Sequence, residues 1–439
     1  MIRLLAALWL ASIPLKTAWA EDLMEIYQLA LQNDPEYKIS DINQSVAGEF
    51  KSQSIAQMLP NLGLSASSIN NRLNSVKRSF LSPSGALLQH FWDHSLVINL
   101  TQPVFNWSHW VQLDQADNKI AQAEAEYQAK QQSLMTRTVE AYFKILAAED
   151  NLEFINAEKK AIEKQLEQAK QRFDVGIIAI TDVYEAQAAF DRAQAAVIEA
   201  ENQLDNSKEL LREIIGENPA TLKKLTPEIP LSTPMPNEIS EWANTAENNN
   251  FSIVAQINQA EFIRKNIELQ QSRHLPTIDF VANYRQQDNG NQFGFRGDNE
   301  NYGVQLNVPL FQGGDTVSRT RQAQYEYESA KEELIKTKRS VNREVKDAYR
   351  GVLASVDQVK ALKTTTESSE LAVEAAEAGL EVGTRTMVDV LAIQRNYYRA
   401  KSDYAKSRYD YLINGVKLKQ AAGSLSDQDL LEINQYLQN

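Results

Sequence analysis

The 439-residue sequence contains no cysteine, which excludes disulfides, thiolate chemistry, metal-thiolate sites and a lipid carried on a mature N-terminal Cys. Histidine is nearly as scarce. His90, His94, His109 and His274 are the whole set, and the only loose pair, His90 and His94, falls at the edge of a loop, which is a poor start for a metal site. No nucleophile-base-acid set and no Gly-rich phosphate loop stands out, so an enzyme is not expected and neither is a cofactor. Positive charge is in deficit: 45 Lys and Arg against 58 Asp and Glu give a net charge of −13, a surface unsuited to nucleic acid. Long apolar runs are missing too. After the N-terminal segment nothing reaches the ~18 uninterrupted apolar residues of a membrane helix, which leaves a soluble periplasmic protein or a β-barrel.

Export itself is legible. Arg3, the apolar LLAALWLASIPL and the small-residue Ala18-Trp19-Ala20 make residues 1–20 an export signal cleaved before Glu21.

The strongest feature is a duplication. VGIIAITDV at Val175 to Val183 returns as VGTRTMVDV at Val382 to Val390, 207 positions later. Each copy has a Gly in a short apolar break and an Asp where a new helical pattern begins, which reads as the tip of a helical hairpin. The expected organisation is a first repeat over 21–216, a Pro-rich linker over 217–237, a second repeat over 238–423 and a helical tail over 424–439.

Within each repeat the period changes twice. Two helices come first, Glu21 to Asn33 and Pro35 to Met58, then Glu238 to Asn248 and Phe251 to His274. Leu59-Pro60 and Leu275-Pro276 end them. Alternating segments follow: Asn61 to Arg72 and His94 to Phe105, then Thr277 to Arg285 and Tyr302 to Leu310, joined by polar loops at Asn74 to Asp93 and Gln286 to Asn301. From about Trp107 a heptad row runs through Ile120, Tyr127, Leu134, Ala141, Ala148, Ile155, Ile162 and Ala169, the mark of a coiled-coil seam. At 1.5 Å per residue this predicts a rod of about 100 Å. The return arm carries Val183, Phe190, Val197, Leu204 and Leu211, and the second repeat keeps the register with Val390, Tyr397, Tyr404, Tyr411 and Leu418.

Amphipathic strands of about ten residues suit a tilted membrane crossing, with Phe105, Trp107, Trp110 and Phe311 placed as interfacial aromatics. Four strands cannot close a barrel, and an open edge is not tolerated in lipid, so three copies forming a twelve-stranded barrel are expected. The fold class is therefore mainly α with transmembrane β: duplicated long-helix hairpins plus four strands per chain. A periplasmic coiled-coil adaptor or scaffold is the competing reading, which the four strands disfavour; a general diffusion porin would need no rods.

The residues resemble the TolC family of outer-membrane efflux and type I secretion ducts, from EDLMEIYQLA through HLPTIDF, VPLFQGG and VGTRTMVDVL to YLINGVKLKQAAGSLSDQDLL. The resemblance implies a homotrimer in the bacterial outer membrane with a long periplasmic α-barrel closed at its lower end. It also implies two partners there, a periplasmic adaptor (membrane fusion) protein and an inner-membrane ABC, RND or MFS transporter.

At that closed end the two kinds of argument meet. Thr386-x-x-Asp389 reads as a capping box, with an acid favouring the helix dipole. The resemblance adds that the matching Asp lines the narrowest part of the pore, so Asp389 is the candidate cation ring of the trimer. A second acidic ring of the family falls on Ala392 here. Arg385 matches the arginine that bonds a neighbouring protomer, with Thr181 and Asp182 as its counterparts, a chemistry that suits a guanidinium fork. A second family pair maps to Gln165 and Glu377, and a tyrosine that also holds the Asp182 position is replaced by Leu380. Gly176 and Gly383 suit a positive φ at a helix end, and in the family they lie where the adaptor docks.

Overall fold

The computed structural model describes residues 20–75, 87–291 and 294–438; the export signal, apart from Ala20, and the tip of the first polar loop lie outside them. Helix dominates. The element order is α1 (Leu23–Asn33), α2 (Pro35–Ala56), β1 (Asn61–Ser75), β2 (Leu87–Phe105), α3 (Trp107–Asp174), α4 (Ile180–Ile215), β3 (Lys224–Leu225), α5 (Ile239–Asn249), α6 (Phe251–Gln271), β4 (Thr277–Asn289), β5 (Arg296–Asn307), α7 (Asp315–Glu381), α8 (Met387–Ala421), α9 (Asp427–Asn434) and β6 (Leu437–Gln438), with one 3-10 turn at Ser272–His274. The long helices α3 and α7 have 68 and 67 residues. None of the described helices is long and apolar enough to cross a membrane.

The chain forms two compact units, each assembled from separate stretches: Met1–Ser40, Tyr127–Phe251 and Lys338–Asn439 in one, Asp41–Glu126 and Ser252–Thr337 in the other.

The second unit holds a four-stranded antiparallel sheet in the order β1-β2-β4-β5, which leaves β1 and β5 as edges. Its register sorts the side chains by face. Leu62, Leu100, Ala282 and Tyr302 share one row, and Leu64, Ile98 and Tyr284 the next on the same face. The opposite face carries Gly63, Asn99, Asn283 and Asn301 in one row and Ser65, Val97, Arg285 and Asn299 in the next. Leu62, Leu64, Tyr302, Val304 and Leu306 are all more than half exposed, so the apolar face is open in the single chain. An uncovered band of this kind is what a lipid-facing sheet presents. Pro103 in the central strand β2 sits at a shift of register between Pro103 and Phe105, where a missing N–H is tolerated.

The strands differ from their sequence-based bounds. Strand β1 reaches Ser75, β2 starts at Leu87, β4 reaches Asn289 and β5 starts at Arg296, so most of the polar residues read as the second loop are paired. Ladder hydrogen bonds belong to the backbone and continue after apolar alternation has stopped. At the other end β5 stops at Asn307 rather than Leu310, because Pro309 has no N–H to offer a ladder. Two short strands were not foreseen. Lys224 and Leu225 within the Pro-rich linker pair with Gln438 and Leu437, so the tail ends in a strand after α9.

In the first unit the seam residues Leu134, Ala141, Ala148, Ile162 and Ala169 of α3 are buried, as are Val183, Val197 and Leu211 of α4 and Val390, Tyr411 and Leu418 of α8. Around them, Phe143 stacks on Tyr409 at 5.5 Å, and the Tyr409 hydroxyl donates to Asp150 at 2.6 Å. Arg137 holds the buried Asp34 carboxylate bidentately at 2.9 and 3.0 Å. The fully buried Tyr142 places its hydroxyl 2.9 Å from the Lys223 carbonyl and 3.2 Å from that of Glu21, tying the linker to α3. Tyr142→Phe should therefore lower stability by about 1–2 kcal/mol, read as a reduced denaturation midpoint; an unchanged midpoint would remove the hydroxyl from the account.

Candidate functional site

Both hairpin tips lie in the first unit and are built on the same turn. After α3, Gly176 takes φ 80°, its N–H donates to the Phe173 carbonyl at 2.8 Å and that of Ile177 to Arg172 at 2.9 Å. After α7, Gly383 takes φ 78°, its N–H donates to Leu380 at 3.3 Å and that of Thr384 to Gly379 at 2.8 Å. This is the Schellman arrangement, which satisfies the last helical carbonyls and needs a residue that tolerates positive φ. Both expected glycines stand in that position.

The starts of the return helices differ. Helix α8 begins with a full capping box: the Thr386 hydroxyl accepts from the Asp389 N–H at 3.2 Å, and the Asp389 carboxylate accepts from the Thr386 N–H at 3.1 Å. Helix α4 has Ala179 at the same place, with no side-chain cap, so Asp182 is left with the helix dipole alone. The bonds to the Thr386 N–H and then its hydroxyl hold the Asp389 carboxyl below the ordinary carboxylate range, and the nearby Arg385 adds to this.

Arg385 is exposed and forms no ion pair among the described residues. Its stem lies across Gly379, where an added Cβ would come within 2.8 Å of Arg385 Cγ and 3.2 Å of Thr384 Oγ1. Gly379 therefore makes room for the arginine at the turn. Thr181 is exposed and Asp182 partly so. Gln165 is buried, and its Oε1 has no hydrogen-bond partner among the described residues. Glu377 is not bonded to Gln165 here; it accepts from Gln394 Nε2 at 2.7 Å. Beneath the tips, Ile162, Leu166 and Ala169 of α3, Val183, Ala186 and Ala193 of α4 and Met387 and Leu391 of α8 pack into one apolar cluster. Leu380 lines it, and an apolar side chain there has no hydroxyl to offer Asp182. On the outside of the turns Val175, Ile177 and Val382 are at least 70 % exposed.

The model of the outer membrane efflux protein family matches residues 26–217 and again 242–424. The chain belongs to that family. It is 38% identical to the outer membrane protein TolC of Vibrio cholerae over 422 residues, 95% of this chain and 94% of that one. The corresponding Escherichia coli protein is 35% identical over 431 residues, 95% of this chain and 85% of the other. In fold it matches the CmeC outer membrane channel of Campylobacter jejuni, with a TM-score of 0.78 at 16% identity over 95% of this chain and 90% of that one. As an outer membrane efflux protein, it is an outer-membrane exit duct of the kind that serves efflux and type I secretion.

Two residues of this efflux protein's tips escaped the sequence reading. Gly379 had a signal, since a glycine inside a helix costs about 1 kcal/mol against alanine and invites a reason. Gln394 had only its heptad position, a polar residue on the apolar face of Met387 and Leu391. Among the described residues no cluster of three His, Cys, Asp or Glu is placed to hold a metal within the single chain.

The cap has a pH signature. A carboxyl whose folded-state pKa is depressed stabilises the tip above its unfolded value of about 3.9 and loses that contribution as pH falls through the folded value. Amide protection in the first turn of α8, taken relative to intrinsic exchange at each pH, should fall on that acidification in the wild type. In Asp389→Asn that loss of protection should vanish; if both proteins respond alike, the carboxylate does not hold the cap.

Proposed function

We propose that the chain works as a homotrimer whose twelve strands close one barrel, and whose helix tips form a gate on the periplasmic side. The observation that carries this reading is the sheet with two unpaired edges and an uncovered apolar face, which is complete only when copies of the chain supply the missing neighbours. A periplasmic scaffold would have no use for it. The duct is passive and performs no chemistry: a periplasmic adaptor engages the tips around Gly176 and Gly383, and an inner-membrane ABC, RND or MFS transporter supplies energy for moving drugs or proteins. The repeating element order supports the division into repeats over 21–216 and 238–423, joined by the linker 217–237 and followed by the tail 424–439.

In the trimer, three Asp389 carboxylates face a common axis. At a separation of about 6 Å and an effective dielectric of ~20, each like-charged pair costs roughly 3 kcal/mol. Such a ring must take up protons or a cation. Because the cap already favours the ionised form, the balance moves toward a cation. With Ala392 in place of a second acid, the site is a single ring. Arg385 reaches Thr181 and Asp182 of a neighbouring copy, and Gln165 and Glu377 make the second contact between hairpins.

Light scattering in detergent should report three chains, and a well-folded monomer would overturn the architecture. In planar bilayers, multivalent cations added on the tip side should block the pore. Asp389→Ala should abolish that block; block that persists in the variant would remove Asp389 from the constriction.

A further inference from the structure

The sheet face that is apolar at Leu62, Leu64, Ile98 and Leu100 changes character toward the β1–β2 hairpin. Two rows past Ile98 the register aligns Ser68, His94, Asp288 and Arg296 on that face. All four are polar, which marks where hydrocarbon gives way to water. One step further Trp92, 52 % exposed, stacks on His94 with ring centroids 6.0 Å apart and planes within 1°. A tryptophan at the end of an apolar band suits the level of lipid headgroups. The next pair on the same face is Arg72 of β1 and His90 of β2, direct partners across the ladder, so their Cβ atoms lie about 4.5–5.5 Å apart. At about 3.3 Å per residue the pair stands roughly 7 Å along the strand past Trp92. Both side chains are exposed, and Arg72 forms no ion pair among the described residues. The described residues of β1 and β2 put no carboxylate on this face, in a chain whose net charge is −13. Asp288, across the ladder from His94, is already held by Arg296 at 3.1 Å.

We propose that Arg72 and His90 form a binding site for the phosphate of a lipid headgroup in the outer leaflet, with the stacked Trp92 and His94 seated beneath it where the acyl chains begin. This rests on the reading of the apolar face as the wall that meets lipid. The helices join the sheet at Asn61, Phe105, Thr277 and Asn307, so the hairpin end, where Arg72 and His90 stand, is the end away from the periplasm. A guanidinium presents two parallel N–H groups to phosphate oxygens, and the His90 ring adds an N–H beside them. At the lipid boundary fewer waters compete for those oxygens than in bulk solvent, which strengthens the contact. A phosphorylated lipid covers the cation and the indole together, whereas a soluble anion would leave the Trp92 ring bare.

The test separates a phosphate site from general charge and from mere contact with lipid. Native mass spectrometry of the purified, delipidated protein in detergent, titrated with phosphatidic acid or with phosphatidylcholine, reads the affinity for the first lipid retained per chain. Phosphatidic acid, whose headgroup is a bare phosphate, should bind the wild type about fivefold more tightly, the factor expected of one arginine at an anionic lipid surface. Arg72→Gln combined with His90→Gln should bring the two lipids level, and Arg72→Lys, which keeps the charge, should retain most of the preference. Arg285→Gln removes a cation from the opposite face and should leave the preference unchanged. Excess inorganic phosphate should not displace the bound phosphatidic acid. If the wild type binds both lipids alike, if the preference survives Arg72→Gln with His90→Gln, or if Arg285→Gln lowers it equally, the site is overturned while the lipid-facing wall stands. Displacement by inorganic phosphate would make this a site for free anions and overturn the lipid. If the wild type retains neither lipid, the apolar face is not a lipid wall and both readings fall.

Discussion

Unpaired backbone at the edges of the β1-β2-β4-β5 sheet is the constraint on which the rest depends. In hydrocarbon an unsatisfied N–H or C=O costs several kcal/mol, so β1 and β5 cannot be left bare along a membrane crossing. Their outward face is apolar and their inward face is built of Asn, Ser and Gly, which suits a wall between lipid and water. Strands of 12 to 19 residues exceed the roughly 9–11 that a tilted crossing requires, leaving paired extensions beyond the lipid. Bulges and breaks occur where proline removes a donor, at Pro103 within β2 and after Asn307 ahead of Pro309.

The helical tips obey a second economy. One turn geometry serves twice, because Gly176 and Gly383 close the long helices with the same pair of carbonyl contacts. Chemistry is then divided unequally between them. The first tip has an uncapped helix start and offers Thr181 and Asp182, whereas the second has the capping box, the arginine laid over Gly379 and the buried amide of Gln394. A carboxylate spent on a cap is also held ionised, which links the local stability of α8 to the charge that Asp389 carries.

Much of this was legible because it is periodic. Heptad rows identified α3, α4 and α8, since a long seam repeats its signal at every turn, and the two VG…DV segments marked both tips. The strands were less legible at their ends: Gln286, Gln287 and Asp288 are polar on both faces, so pairing there leaves no alternation to read. The β3–β6 pair joins positions more than two hundred residues apart through two residues each, which no local pattern can announce. Gln394 escaped although it breaks an apolar seam, and its partner had no signal at all, because a bond from α8 back to α7 depends on how the two helices face each other. Family resemblance reached Glu377 with Gln165 as its partner, whereas within one chain the carboxylate is held by Gln394.

The absence of cysteine makes the central claim directly measurable. Single cysteines introduced on the two sheet edges, one in β1 at Ser67 and one scanned along β5 from Asn299 to Gln305, permit disulfides only where the edges of different chains adjoin. Oxidation in the outer membrane, read on a denaturing gel, should give for one register a covalent species of three chains and none larger, because the ring closes. Monomers at every register, or an open ladder extending past three, would contradict a closed trimeric barrel and with it the account of the gate at its axis.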